Sequence, residues 1–513
     1  MKLRPGIVAV TVVAAGALAL TGCTGSGSGD RSTTSSASAL STLTIGALAD
    51  LTSFDPAQAH LGHAVQYDQP VYDTLIRRKP DGTPVPMLAT KWQYNSDKTQ
   101  LTLTIRKGVK FSDGTKVDAA AVAQNLNRFR TGNGPDASTL AAVSDVTGQG
   151  DSVVITLKEP DPSLIDYLGN EDSFIASPKA IAAGHIATQP VGSGPYVYDA
   201  KDSVTGSKYV FTARKDYWDP SLQKYSEIVV KPIVDTTAML NALLSGQVDA
   251  AILQPKTEAQ AKKAGFTEHL YTTDWQGLFL FDRDGEFTPA LKNVKVRQAI
   301  NFALDKKTLL KQVQQGLGEQ TSQILPPGVP GYEKSLDDAY GYNPGKAKKL
   351  LAEAGYADGF TLTMPTVAGA FDPALTAGIG QDLKNIGITV NWQNIAASDF
   401  ISDLTTKKFS ASWFSEAQGT AFYSSGIELN PDAVYNPFGT KDPKVQSLVH
   451  TVQYGSDSGS AAAATELNKY LVDQAWFAPF YRPDQIFFTD SKTDVVPQTR
   501  QAVPSIYNYS PKK

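Results

Sequence analysis

The chain of 513 residues holds one cysteine. It is Cys23, near the start, so everything after it is free of thiols. That excludes an intrachain disulfide, a Cys-ligated zinc and a cysteine nucleophile from the body of the protein. Histidine is scarce as well, with five in all, and no H-E-x-x-H occurs. His60 and His63 have the spacing H-x-x-H, but no third ligand lies near them in sequence. They read as loop or cleft histidines, and no metal and no cofactor is expected. Basic charge is not in excess either. The formal net charge is -4, and no Lys/Arg block supplies the footprint that nucleic acid needs. Catalytic constellations are missing too. There is no G-x-S-x-G elbow. The segment Gly341 to Lys346 is one residue short of a P-loop, and Ala347 stands where Ser or Thr must reach Mg²⁺. Ser221 to Lys224 matches S-x-x-K without its S-D-N and K-T-G companions. No nucleophile-base set is recognisable, and the expectation is a protein that is not an enzyme.

Ile7 to Leu20 is apolar and uncharged. It falls short of the roughly 20 residues that a membrane-spanning helix needs. Lys2 and Arg4 precede it, so the stretch reads as an export signal. Its end, Leu20-Thr21-Gly22-Cys23, resembles the lipobox of bacterial lipoproteins, in which the thiol takes a diacylglyceryl group. Residues 1–22 are therefore expected to be a signal peptide and Cys23 the lipidated start of the mature chain. Two or more acyl chains give stable membrane attachment where one holds only marginally. Thr24 to Ser41 is rich in Ser, Thr and Gly. It cannot bury a core, and residues 23–41 are expected to be a flexible linker.

The body alternates between two periods. Leu101, Leu103 and Ile105 alternate with polar residues, as in a half-buried strand. Val122, Leu126 and Phe129 share a helical face, with Asp118 placed as its cap. Leu43 to Leu48 is predicted as a first strand. Glu227 to Ile233, a helix capped by Asp235, and Val248 to Leu253 form a strand–helix–strand unit, which predicts a right-handed crossover with parallel pairing. Trp275 to Phe281 is an aromatic-rich strand. Asn293 to Leu304, the helix after Asp305 and the helix after Asn343 follow. Phe360 to Met364, Pro373 to Ile386 and Ile388 to Trp392 form a second strand–helix–strand unit. A last helix is predicted from about Ala461 to Asp473. Two α/β lobes are the arrangement that supports a closing cleft.

The wording of Val71 to Phe129 adds to this. Tyr72-Asp73-Thr74-Leu75 is followed by P-x-L-A-x-x-W ending at Trp92 and by R-K-G-V-K-F-x-D-G-T from Arg106 to Thr115. Val191 to Asp199 reads VGSGPYVYD, and Val294 to Leu310 reads VKVRQAINFALDKKTLL. In this order the segments resemble the family 5 extracytoplasmic solute-binding proteins, the oligopeptide-, dipeptide- and nickel-binding components of bacterial ABC importers. The resemblance covers nearly everything from residue 42 onward and is weakest between about 410 and 460.

The resemblance implies a two-lobed α/β periplasmic-binding-protein-like fold with a hinge. The first lobe is expected at 42–270 plus 486–513, with an inserted subdomain at about 79–189, and the second at 271–485. It implies a monomeric, lipid-anchored receptor outside the cytoplasm that passes its ligand to permease subunits. Peptides are the default cargo, and nickel chelates, haem, glutathione, opines and sugars are other cargoes of the family. An exported hydrolase on the same scaffold is the alternative. For the site, the oligopeptide branch carries W-x-x-D, whose acid pairs with the ligand α-amino group. Here Trp413 and Glu416 stand at that offset. Glu replaces Asp, and the family's following D-P is absent. His60 and Trp275 are placed near the cleft by the same resemblance.

Overall fold

The computed structural model describes residues 42–60, 62–369 and 371–512. The predicted signal peptide, Cys23 and linker lie outside them. Among the described residues no helix is long and apolar enough to cross a membrane.

The first strand, Thr42–Ala47, sits at the centre of the first lobe. It pairs in parallel with Glu227–Pro232 on one edge and with Ala250–Leu253 on the other. The predicted strand–helix–strand unit is therefore parallel, but its two strands are not neighbours. Ala250–Leu253 is buried at every position, and Leu43, Ile45 and Ala47 are buried too. Strands apolar on both faces gain most when each is covered on both sides. The connecting helix, Thr236–Leu244, starts where Asp235 accepts the Ala238 amide at 2.7 Å. Val191 to Asp199 turns into the short strand Tyr196–Tyr198. At Gly194 a β-carbon would stand 2.4 Å from the Val71 carbonyl carbon, so the chain can pass there only without a side chain.

A four-stranded antiparallel sheet forms a separate layer in this half. Its order is Ala89–Tyr94, Gln100–Ile105, Ser152–Leu157, Val143–Gln149. The helix Ala119–Thr131 covers it, capped by Asp118 on the Ala121 amide at 2.9 Å. Leu101, Leu103, Val122, Leu126 and Phe129 form the core between sheet and helix.

The long strand Phe477–Thr489 joins the two lobes. Up to Pro483 it pairs with Asp274–Leu280 and Gly318–Gln320, and from Asp484 it pairs with Thr267–Thr272 and Ala250–Leu253. The chain thus passes between the halves at Thr273 and again at Pro483–Asp484. Asp274–Leu280 takes Ala411–Ala417 on its free edge. One face of this second-lobe sheet packs on helices Val294–Ala303 and Pro373–Lys384 through Leu278, Leu280, Ile300 and Ile379. The other face packs Trp275, Phe279 and Phe477 on helices Pro443–Tyr454 and Asp457–Asp473. The last helix starts earlier than predicted because Ser456 caps it on the Gly459 amide at 3.2 Å. The second strand–helix–strand unit pairs directly and in parallel, Phe360–Val367 against Ile388–Ile395.

The residues that carry the family wording serve the scaffold. Asp73 is fully buried and accepts the Tyr217 hydroxyl at 2.9 Å, the Trp218 indole N–H at 2.9 Å and the Tyr507 hydroxyl at 3.2 Å. One acid thus ties together three stretches far apart in sequence. Burial raises its pKa to about 6, and these donors hold it from rising further.

Candidate functional site

A cavity of about 500 Å³ opens between the two lobes. That is within the span of small-molecule sites, about 300–1,000 Å³. One wall comes from the Asn170–Asp172 segment with Arg78 and Tyr167. The other comes from Asp274 and the stretch from Ala417 to Tyr423.

The first wall is built on a single helical turn, Glu171–Ser173. Ser173 fixes it, with its hydroxyl accepting the Leu75 amide at 3.1 Å and donating to the Leu168 carbonyl at 2.7 Å. Glu171 and Asp172 are consequently buried, each 2% exposed. Asp172 accepts the Thr139 hydroxyl, while Oε2 of Glu171 has no hydrogen-bond partner. Burial pushes the Asp172 carboxyl up to about 7. It pushes Glu171 well up too, and the neighbouring Asp172 adds to the shift. Arg78 donates from Nη1 to Asn170 at 3.3 Å. Its Nε and Nη2 have no partner, and burial together with the nearby Arg500 lowers its pKa.

The second wall begins with Asp274, which accepts the Ser415 hydroxyl at 3.1 Å. Burial raises its pKa. Behind this wall lies Glu416, 7% exposed. The Tyr423 hydroxyl donates to its Oε1 at 3.4 Å. Burial pushes Glu416 up to about 7, with Asp274 adding to the shift. Glu428, 1% exposed, stands beside it in the wide turn Ser425–Leu429. Neither of its carboxyl oxygens makes a well-formed hydrogen bond, although the adjacent Ser424 hydroxyl favours the charged form. Burial and then Glu416 drive its pKa well up.

The four residues singled out from sequence fare differently. His60 is on the cavity wall and faces Asp136 at 3.2 Å. Trp275 lies opposite Glu416 in the strand register, so the two share a sheet face. Trp275 is 1% exposed and stacks on Phe279 at 4.8 Å between centroids, which makes it part of the core. Trp413 lies opposite Leu278 on the other face of the same strand. An offset of three in a strand of period two sends its side chain away from that of Glu416. Its ring meets Phe371 edge-on at 4.8 Å, and its indole N–H is buried without a partner. The structure therefore brings Glu416 and Trp275 together, leaves His60 on the opposite wall, and separates Trp413. Asp274, Glu428, Glu171 and Asp172 escaped the sequence reading. The first adjoins a singled-out tryptophan. The others are acids whose significance appears only once burial is known.

The fold and the cavity define a two-lobed α/β binding protein. Residues 83–444 match the model of the bacterial extracellular solute-binding proteins, family 5 Middle, and the chain belongs to that family. It is 29% identical over 331 residues to the glutathione-binding protein GsiB of Salmonella paratyphi A, a stretch that covers 61% of this chain and 62% of that protein. The fold is similar to that of HbpA2 from Haemophilus parasuis, with a TM-score of 0.81, 22% identity and coverage of 92% of this chain and 100% of that one. It is also similar to DppA from Helicobacter pylori in complex with peptide STSA. There the TM-score is 0.73 and the identity 21%, over 92% of this chain and 98% of that one. The family is one of binding proteins and not of enzymes.

Proposed function

We propose that this protein is a lipid-anchored extracytoplasmic receptor. It binds a peptide or peptide-like solute between its lobes and delivers it to an ABC importer. The observation that carries this reading is the cavity, whose walls come from segments on either side of the chain crossings at Thr273 and Pro483–Asp484. A solute that touches both walls binds the closed arrangement better than the open one, and that difference drives closure. In this reading the first lobe is about 42–270 plus about 486–513 with an insert at about 79–189, and the second is about 271–485. Glu416 is the acid that meets a ligand ammonium group, with Trp275 as its packing support. His60 borders the ligand, and Trp413 braces the strand from its far face. The likeness to a glutathione-binding protein and to a peptide complex supports a peptide-like cargo.

The test is mass spectrometry of small molecules released on denaturing the purified protein, followed by solution scattering with and without the molecule found. A bound peptide-like solute that compacts the protein and is not converted is expected. Sustained turnover abolished by mutating one cavity residue would overturn the receptor assignment in favour of a hydrolase.

A further inference from the structure

The charges lining the cavity do not balance. Arg500 meets Asp166 at 3.0 Å and His60 meets Asp136 at 3.2 Å. Arg78 then stands against Glu171, Asp172 and Asp274, none of which has a basic side chain within ion-pair distance, and Glu416 lies just behind Tyr423. His63 is close enough to Asp274 to feel its charge, but burial favours its neutral form. A cluster of acids can be a mere surface feature, but this one is not. Glu171 is 2% exposed, lines the cavity and leaves Oε2 without a hydrogen-bond partner. A buried carboxylate left unpaired is costly, and a cation supplied from outside removes that cost. Among the described residues no group of three or more His, Cys, Asp and Glu is arranged to hold a metal ion, and an organic ammonium group can supply the missing charge.

We propose that Glu171 and Asp172 form a second cation subsite, facing the acid Asp274 on the other wall, so that the cavity takes a small ligand with two positively charged nitrogens. A short peptide with a lysine side chain is of this class, its α-amino group on one wall and its side chain on the other. This inference rests on the receptor reading and narrows it to basic cargo. The geometry has a thermodynamic companion. Burial holds the acids on both walls above the usual carboxylate range. A cation that arrives between them restores their ionised forms, so binding must release protons.

The experiment is calorimetry of the purified protein at pH 7 with the tripeptides Ala-Lys-Ala, Ala-norleucine-Ala and Ala-Glu-Ala, and with cadaverine as a dication that is not a peptide. The lysine peptide is expected to bind about tenfold tighter than the norleucine peptide or better. It should also release more protons, read from the buffer dependence of the heat. In the double variant Glu171→Gln/Asp172→Asn the ratio of the two affinities should fall towards one. Glu171→Asp, which keeps the charge, should preserve much of the ratio. Equal binding of the lysine, norleucine and glutamate peptides by the unmodified protein overturns the cation subsite and leaves the receptor reading standing. A preference that survives in the double variant removes Glu171 and Asp172 from the subsite. Failure of all three peptides and of cadaverine to bind overturns the peptide reading together with the inference.

Discussion

Replacing Glu416 with Gln should act in opposite directions on stability and on binding. In the ligand-free protein this carboxyl titrates at about 7 against an ordinary value of 4.5. Its folded pKa is raised, so the stability it allows is fully present below about pH 4.5 and is lost as pH rises through about 7. Each pKa unit is about 1.4 kcal/mol. A shift of this size therefore costs the folded state about 3 kcal/mol above pH 7 as an upper figure. Gln keeps the shape and can still accept the Tyr423 hydroxyl bond, but it carries no charge to desolvate. Glu416→Gln should consequently be more stable than the unmodified protein at pH 8, by about 2 kcal/mol. At pH 4 the two should unfold alike.

Binding runs the other way. A ligand ammonium paired with a desolvated carboxylate loses its partner in the variant, at a cost of roughly 2–5 kcal/mol in affinity. The assays are urea unfolding at pH 4 and pH 8, and calorimetry with the co-purified solute. A variant that is no more stable at pH 8 would show that Glu416 is solvated or already paired in the free protein. Unchanged affinity, or equal binding of an N-acetylated ligand, would remove Glu416 from the site.

Cys23→Ser should move the protein from the membrane fraction to the soluble one, and a variant still sedimenting with membranes would refute lipid anchorage. Asp73→Ala should destabilise the fold by roughly 3 kcal/mol or more, because it leaves the Tyr217, Trp218 and Tyr507 donors without their acceptor; an unchanged melting temperature would contradict the scaffold role. Lys98 meets Asp457 at 2.8 Å, and Tyr454 donates to Glu159 at 2.7 Å, joining the four-stranded sheet to the helix pair of the second lobe. These contacts are exposed, so Lys98→Ala/Tyr454→Phe should change ligand affinity by less than about tenfold, and abolished binding would mean that this contact controls closure.

The legible part of the fold was the part decided locally. Asp118, Asp235, Asp305 and Asn343 cap helices in the structure as their positions in sequence suggest, each accepting the main-chain amide three residues on. Alternation at Leu101 to Ile105 is a property of the strand itself. Strand order was less accessible. Nothing near Glu227 or Leu253 in sequence announces that Thr42–Ala47 will lie between their strands. That choice depends on which pairing buries two apolar faces at once, and its partners are some two hundred residues away.

The site was harder still, for a related reason. Trp413 and Glu416 were joined by an offset taken from relatives, whereas strand geometry puts side chains three apart on opposite faces. Glu428 sits between Ile427 and Leu429 in sequence, and Glu171 and Asp172 sit in a polar loop. None of these patterns separates a solvated acid from a buried one. What distinguishes them is created by folding, when the turn fixed by Ser173 and the strand edge at Ala417 remove water from carboxylates and place no basic side chain within ion-pair distance of them. An acid left in that state weakens the free protein, and the same desolvation strengthens its attraction for any ammonium group that enters. In the proposed receptor the feature that is costly without a ligand is the one that would select the cargo, and a ligand with neutral groups at both walls would leave that cost in place.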